Sequence, residues 1–232
     1  MYDEYNLFDR CLESILYDNV TLEGLYDSEK MVAANDPSIR DKVPGRTKSI
    51  YVMITFSNTL CGRVTLGVTK GVYSHASLVL DKNFNKIYSF AYDGLIEEKL
   101  NLRGYVNDGA KYALYELKVT PKEYKQIVYF VELLKARNPK YDWTGFVLTA
   151  FNVKHGNERY YICSGFVNSA LEYAGIYVFN KTANLVRPDD FSHNPNFKLV
   201  KKGLIADLRK ELGVPDTPLD NPTHFISPDL YK

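Results

Sequence analysis

Hydrophobic positions in this chain recur with two periods, and the changes between them divide it into elements. Leu7, Phe8, Cys11, Leu12, Ile15 and Leu16 share one face of a 3.6-residue repeat, which predicts an amphipathic helix over residues 6–17. Residues 18–48 are polar, contain Asn35-Asp36-Pro37 and Val43-Pro44-Gly45, and read as an irregular arm. Ser49–Ser57 is β-branched and aromatic, as in a buried strand. A helix is predicted from Asn58 or Thr59, either of which can cap it, to about Thr69. Two strands follow, His75–Leu80 and Lys86–Tyr92, joined by a turn over 81–85. Residues 97–109 read as a polar excursion, and Tyr112–Val119 as another strand.

Thr120-Pro121-Lys122-Glu123 then carries the signature of a helix start: a threonine cap, proline at the first position and glutamate three residues after the cap. That helix is predicted to reach about Ala136, before Asn138-Pro139. Apolar helices are expected over Tyr141–Phe151 and Tyr161–Ala174, the second closed by Gly175. Phe166, Val167, Ala170, Leu171 and Ala174 form its apolar face. Residues 187–191 read as a loop entering a turn, Phe197–Lys201 as an edge strand and Gly203–Gly213 as a short helix. The last stretch holds four of the ten prolines and is expected to trail over the surface. The expected organisation is an N-terminal helix and arm (1–48), a compact domain (49–213) and a proline-rich tail (214–232). Its fold class is α+β, with a small, mostly antiparallel sheet packed against the helix that carries Cys163.

Composition narrows the chemistry. The 232 residues are 45% hydrophobic and 25% charged, enough for one domain with a true core. A net charge of +1 offers no electrostatic case for nucleic acid. No apolar run approaches the roughly 18 residues of a membrane span. The acidic start, Met1-Tyr2-Asp3-Glu4-Tyr5, does not read as a secretory signal, so the cytoplasm is the expected location. Cys11, Cys61 and Cys163 are too scattered for a disulfide framework, and four dispersed histidines lack zinc spacing. Neither metal nor cofactor is expected. Cys11 and Cys61 have apolar neighbours and read as buried thiols.

Cys163 is different. It lies in Tyr160-Tyr161-Ile162-Cys163-Ser164-Gly165-Phe166, where an extended segment turns into a helix. The free N–H groups of a helix N-terminus favour a thiolate, the nucleophilic form of cysteine. His75, in Tyr73-Ser74-His75-Ala76-Ser77, opens a strand and can supply the base. A third polar group usually orients such an imidazole. A hairpin return of Lys86–Tyr92 brings Ser89, Tyr92 and Asp93 within reach.

The run from about residue 49 to 203 resembles the circularly permuted branch of the papain-like NlpC/P60 superfamily, the YiiX-like permuted amidases. In that branch the histidine strand precedes the cysteine helix, and lecithin:retinol acyltransferase-like enzymes share this order. Tyr51–Phe56, Tyr73-Ser74-His75, Leu80-Asp81 through Tyr88-Ser89-Phe90, Tyr141-Asp142-Trp143 and Tyr161-Ile162-Cys163-Ser164-x-Phe166-Val167 carry the resemblance. It implies a thiol-dependent hydrolase or acyltransferase with Cys163 as nucleophile and His75 as base. The implied substrates are peptides, peptidoglycan fragments or acylated small molecules. The family's third position is a variable polar residue on the strand after the histidine. Here the core of that strand has no Glu, Asn, Gln or His, which leaves Ser89, with Tyr92 and Asp93 at its end. Ser77, Tyr161 and Ser164 are further candidates for lining the site or binding an oxyanion.

Three functional readings follow. The first is an amidase or peptidase acting on peptidoglycan peptides or related acyl-amides. The second is a lipid or N-acyl hydrolase or acyltransferase. The third is an inactive papain-like module used for binding or assembly, for example on a phage particle, with 18–48 and 214–232 as partner-wrapping segments.

Overall fold

Strand β1, Lys48–Phe56, shows how the sheet is built. Ile50, Val52 and Ile54 enter one apolar cluster and Met53 enters another, so the strand is buried on both faces. The computed structural model describes residues 45–56, 71–91, 94–106, 109–137, 139–142, 160–219 and 223–224. The expected helices at 6–17 and 58–69, nearly all of that at 141–151, and Cys11 and Cys61 lie outside the described residues.

Six further strands flank β1: β2 (His75–Val79), β3 (Ile87–Ala91), β4 (Gly94–Glu98), β5 (Lys111–Val119), β8 (Lys198–Leu204) and β9 (Thr223–His224). The order across the sheet is β8-β5-β1-β2-β3-β4-β9, and every pairing is antiparallel. A separate parallel pair joins β6 (Lys140–Tyr141) to β7 (Tyr160–Tyr161). The architecture is α+β.

Helices cover both faces of this sheet. On one, α2 (Pro121–Arg137) and α3 (Cys163–Tyr173) bury Ile127, Phe130, Val131, Phe166, Val167, Ala170 and Leu171 against Leu78, Phe90 and Leu95. The five apolar positions expected on the cysteine helix all lie in this core. On the other, α1 (Arg103–Val106) and α5 (Ile205–Leu212) bring Tyr105, Ile205 and Leu208 onto Met53, Val79 and Leu114. Among the described residues, no helix is long and apolar enough to cross a membrane.

Local signals account for the helix ends. Thr120 Oγ1 accepts from the Glu123 N–H at 3.2 Å, and Glu123 Oε2 accepts from the Thr120 N–H at 2.6 Å, the reciprocal cap that the sequence predicts. Thr120→Ala is therefore expected to cost about 1 kcal/mol, read as a lower midpoint in denaturant with unchanged slope. Gly175, at φ 77°, ends α3: its N–H bonds Glu172 O, and the Ile176 N–H bonds Leu171 O.

Three expectations need correction. Residues 97–109 are not a simple polar excursion: Glu97 and Glu98 end a strand, Gly94–Glu98, paired with β3 from Ala91↔Gly94 to Ile87↔Glu98, and Leu100 and, on α1, Tyr105 are buried. Only two residues separate Ala91 from Gly94, and Gly94 has φ 105°, so the chain returns at once in a tight hairpin. Residues 187–191 do not form a loop: Pro188–His193 is a helix, α4, whose Asp190 carboxylate accepts the Arg187 N–H at 2.7 Å. The tail does more than trail. Residues 214–219 are mostly exposed, but the Leu219 N–H bonds Asn101 O, and β9 pairs with β4.

Candidate active site

The site forms where the sheet opens. β2 and β3 pair only at Leu78↔Tyr88 and Val79↔Ile87, so the first half of β2 has no β3 partner. The N-terminus of α3 comes into this notch. The backbone N–H groups of Ala76 and Ser164 lie near the Cys163 sulfur and favour its ionised form. Packing holds the helix there: Phe166 lies tilted against Phe90 at 5.3 Å between ring centroids, and Phe90 lies 5.1 Å from Tyr161. Gly165 is required on this turn, because a Cβ there would come within 2.9 Å of the Ala183 carbonyl oxygen.

His75 stands close enough to the sulfur for each group to shift the other's titration. The two residues, 88 positions apart in sequence, are brought together by the fold. Cys163 is buried at 7% exposure, whereas the His75 side chain retains 23%. His75 Nε2 lies 2.7 Å from Glu98 Oε1. With Nε2 directed at the carboxylate, Nδ1 is the ring nitrogen left to face sulfur.

Glu98, on β4, thus takes the orienting position that sequence reasoning gave to Ser89, Tyr92 or Asp93. Strand parity explains the substitution. Ser77 is two residues from His75, Ser89 is two from Ile87, and Ile87 is directly opposite Glu98. All these side chains therefore project from one face of the sheet. The Ser89 hydroxyl donates to Glu98 Oε1 at 2.5 Å, and the Ser77 hydroxyl donates to Oε2 at 2.7 Å. Tyr105, from α1, adds a fourth donor to Oε2 at 2.9 Å. The carboxylate is 2% exposed, yet each oxygen accepts two hydrogen bonds. A buried carboxylate this well paired stays ionised.

The Ser89 and Ser77 hydroxyls are thus both engaged with Glu98. Ser164 is also engaged elsewhere. Its hydroxyl donates to the Val186 carbonyl at 2.5 Å, tying α3 to the segment that follows the short 3₁₀ turn Ala183–Leu185. Tyr161 packs its ring against Phe90 and Phe130. Tyr92 and Asp93 lie outside the described residues. Glu98 and Tyr105 escaped the sequence analysis, although Asp93-Gly94 after a β-rich run is a strong hairpin signal and would have delivered Glu98 to the histidine strand.

A second carboxylate holds the approach to His75. Asp189 accepts the Val72 N–H at 2.9 Å and the Tyr73 N–H at 3.2 Å. Gly71 lies against it so closely that a Cβ would fall 2.0 Å from Asp189 Oδ2.

The electrostatics follow from these contacts. Burial alone would lower the His75 pKa; the Glu98 charge, then the sulfur, override it and push the imidazole up to about 10. Burial would raise Cys163; the neighbouring imidazolium, with the Ala76 and Ser164 N–H groups, holds the thiol below its ordinary value. Glu98 is also held low against burial, by His75 first and then by the Ser89 and Ser77 hydroxyls. The combination favours thiolate beside imidazolium, a pair able to attack an electrophilic carbon and protonate a leaving group. Among the described residues no group of three His, Cys, Asp or Glu side chains is placed to hold a metal ion. No family model matches this chain, and no curated protein shows significant similarity to it in sequence.

Proposed function

We propose that this chain is a thiol-dependent hydrolase of amide bonds, built on a circularly permuted papain-like plan of the NlpC/P60 kind. The observation that carries the reading is the convergence of Cys163, His75 and Glu98, with the sulfur at a helix start and a buried carboxylate behind the imidazole. The strand-first, cysteine-helix-later order supports the same reading, and the resemblance makes peptidoglycan peptides or related acyl-amides the substrate class.

In this scheme the Cys163 thiolate adds to the amide carbonyl carbon. The carbonyl oxygen gains negative charge and is met by the first-turn N–H of Cys163, which has no intrahelical acceptor. The C–N bond then breaks as the His75 imidazolium gives its proton to the departing nitrogen, leaving an acyl thioester. Neutral His75 takes a proton from water, the resulting hydroxide adds to the thioester, and the C–S bond breaks. The acid is released and the ion pair is restored. Glu98 keeps the ring in plane and stabilises its cationic form throughout.

Alkylation followed by mass spectrometry tests the reading. At about pH 6 iodoacetamide is expected to modify Cys163 well before Cys11 and Cys61, because an ordinary thiol is almost fully protonated there. His75→Ala should remove that preference. Incubation with peptidoglycan peptides, simple acyl-amides and acylated lipids then separates amidase from lipid acyl chemistry. Equal labelling of all three cysteines with no turnover would leave a binding or assembly module as the better account.

A further inference from the structure

Tyr105 donates to Glu98 Oε2 at 2.9 Å, and nothing in the scheme above uses it. We propose that Tyr105 is a positioning residue: its hydroxyl fixes the Glu98 carboxylate, and through it the ring of His75 that faces Cys163. This inference rests on the thiol-hydrolase reading.

The geometry separates Tyr105 from the other donors. His75 and Ser77 come from β2 and Ser89 from β3, so these three share the sheet with Glu98. Tyr105 reaches Oε2 from α1, outside the sheet, and closes the carboxylate from a second direction. A glutamate has three rotatable side-chain bonds, so donors from one surface alone leave it freer to turn. Tyr105 is itself held on both sides of its backbone. Its N–H donates to Leu102 O at 2.8 Å, and its carbonyl accepts from Arg209 Nη1 at 2.8 Å. Arg209, on α5, is only 4% exposed, and its Nη2 also donates to Asp216 Oδ1 at 2.9 Å. Burying a guanidinium to hold a backbone carbonyl is costly. The cost makes sense where the position of that tyrosine matters.

The groups around Glu98 define what Tyr105 can influence. His75 is the charged neighbour, with Cys163 beyond it; Ser77, Ser89 and Thr55 are neutral hydroxyls. Arg209 meets the network through the Tyr105 carbonyl. Glu97 is paired with Lys99. Burial, and then the Glu98 charge, raise the Tyr105 pKa well above normal, so the phenol remains a donor. Removing it makes Glu98 easier to protonate. The imidazolium then loses its support at a higher pH, and the Cys163 thiolate with it.

The experiment is the pH profile of Cys163 alkylation in the full chain, between about pH 4 and pH 9, with iodoacetamide. For Tyr105→Phe the midpoint should move up by about one pH unit, the size of one hydrogen bond to a charged group. On an amide substrate kcat should fall about tenfold with little change in KM. Placing 3-fluorotyrosine at position 105 keeps the shape and strengthens the donor, so the midpoint should move down; this variant decides the matter if Tyr105→Phe does not fold. A low wild-type midpoint that neither variant moves, even with a loss of thermal stability, overturns the role of Tyr105 and leaves the Cys163–His75 reading intact. An ordinary thiol midpoint in the wild type overturns both.

Discussion

Replacing Cys163 with alanine is expected to abolish amide hydrolysis, by on the order of 10⁴-fold or more, while the protein still folds. The size of the effect follows from the division of labour. In the proposed mechanism Cys163 forms the bond to the substrate, and the nearby Ser77 and Ser89 hydroxyls are both committed to Glu98. Serine should be nearly as inactive. An alcohol is far harder to ionise than a thiol, and the site offers an imidazolium rather than a free base. Stability should change little: the sulfur fills a small volume next to Ala76, and its loss is worth about 1 kcal/mol of packing. Steady-state hydrolysis, with intact-mass detection of an acyl-enzyme in the wild type, checks this directly. Substantial turnover by Cys163→Ala would remove the basis of the proposed mechanism.

Substituting Glu98 should damage both activity and stability, and the stability effect should depend on pH. Glu98→Ala leaves a half-buried imidazole without its counter-charge and strands the Ser77, Ser89 and Tyr105 hydroxyls. Breaking a buried pair from one side costs about 3–5 kcal/mol. Glu98→Gln retains shape and removes only charge, so it isolates the electrostatic part. The Glu98 pKa is lowered on folding, mainly by His75 acting against burial. Its contribution is therefore present above the unfolded value, about pH 4.5, and is lost as the pH falls through the folded value. The His75 pKa is raised to about 10 by Glu98 and then Cys163, again against burial. Its contribution is complete below the unfolded value, near pH 6.5, and is lost as the pH rises through about 10. The stability gap between wild type and Glu98→Gln should thus be widest between about pH 4.5 and 6.5 and should narrow on either side. Denaturant titrations across pH measure it. A gap independent of pH would mean that Glu98 contributes packing and not charge.

Much of this arrangement was legible in the sequence because it rests on local rules. The cap at Thr120, the Gly175 stop, the apolar face of the Cys163 helix and the β-branched run after Ser49 each depend on residues a few positions apart. Cys163 and His75 were legible for the same reason: each stands at an element boundary whose local chemistry is unusual. Glu98 was not. Within Gly94–Glu98 it is one of two adjacent glutamates, and neither composition nor period says which one turns inward. The answer depends on the register Ile87↔Glu98, and the two-residue connection between Ala91 and Gly94 sets that register.

Tyr105 and Arg209 were still further from view. They lie 104 residues apart and meet only because α1 and α5 share the second face of the sheet. The chain's own order of residues thus determined the elements, their caps and the two candidate side chains at element boundaries, since those depend on spacing along the backbone. Tertiary structure alone decided which carboxylate stands behind His75, which hydroxyls bind it and that the sheet opens at Ala76 for the sulfur. The reason is that strand pairing and two-sided packing join positions whose separation in sequence carries no energetic signal until the sheet has formed.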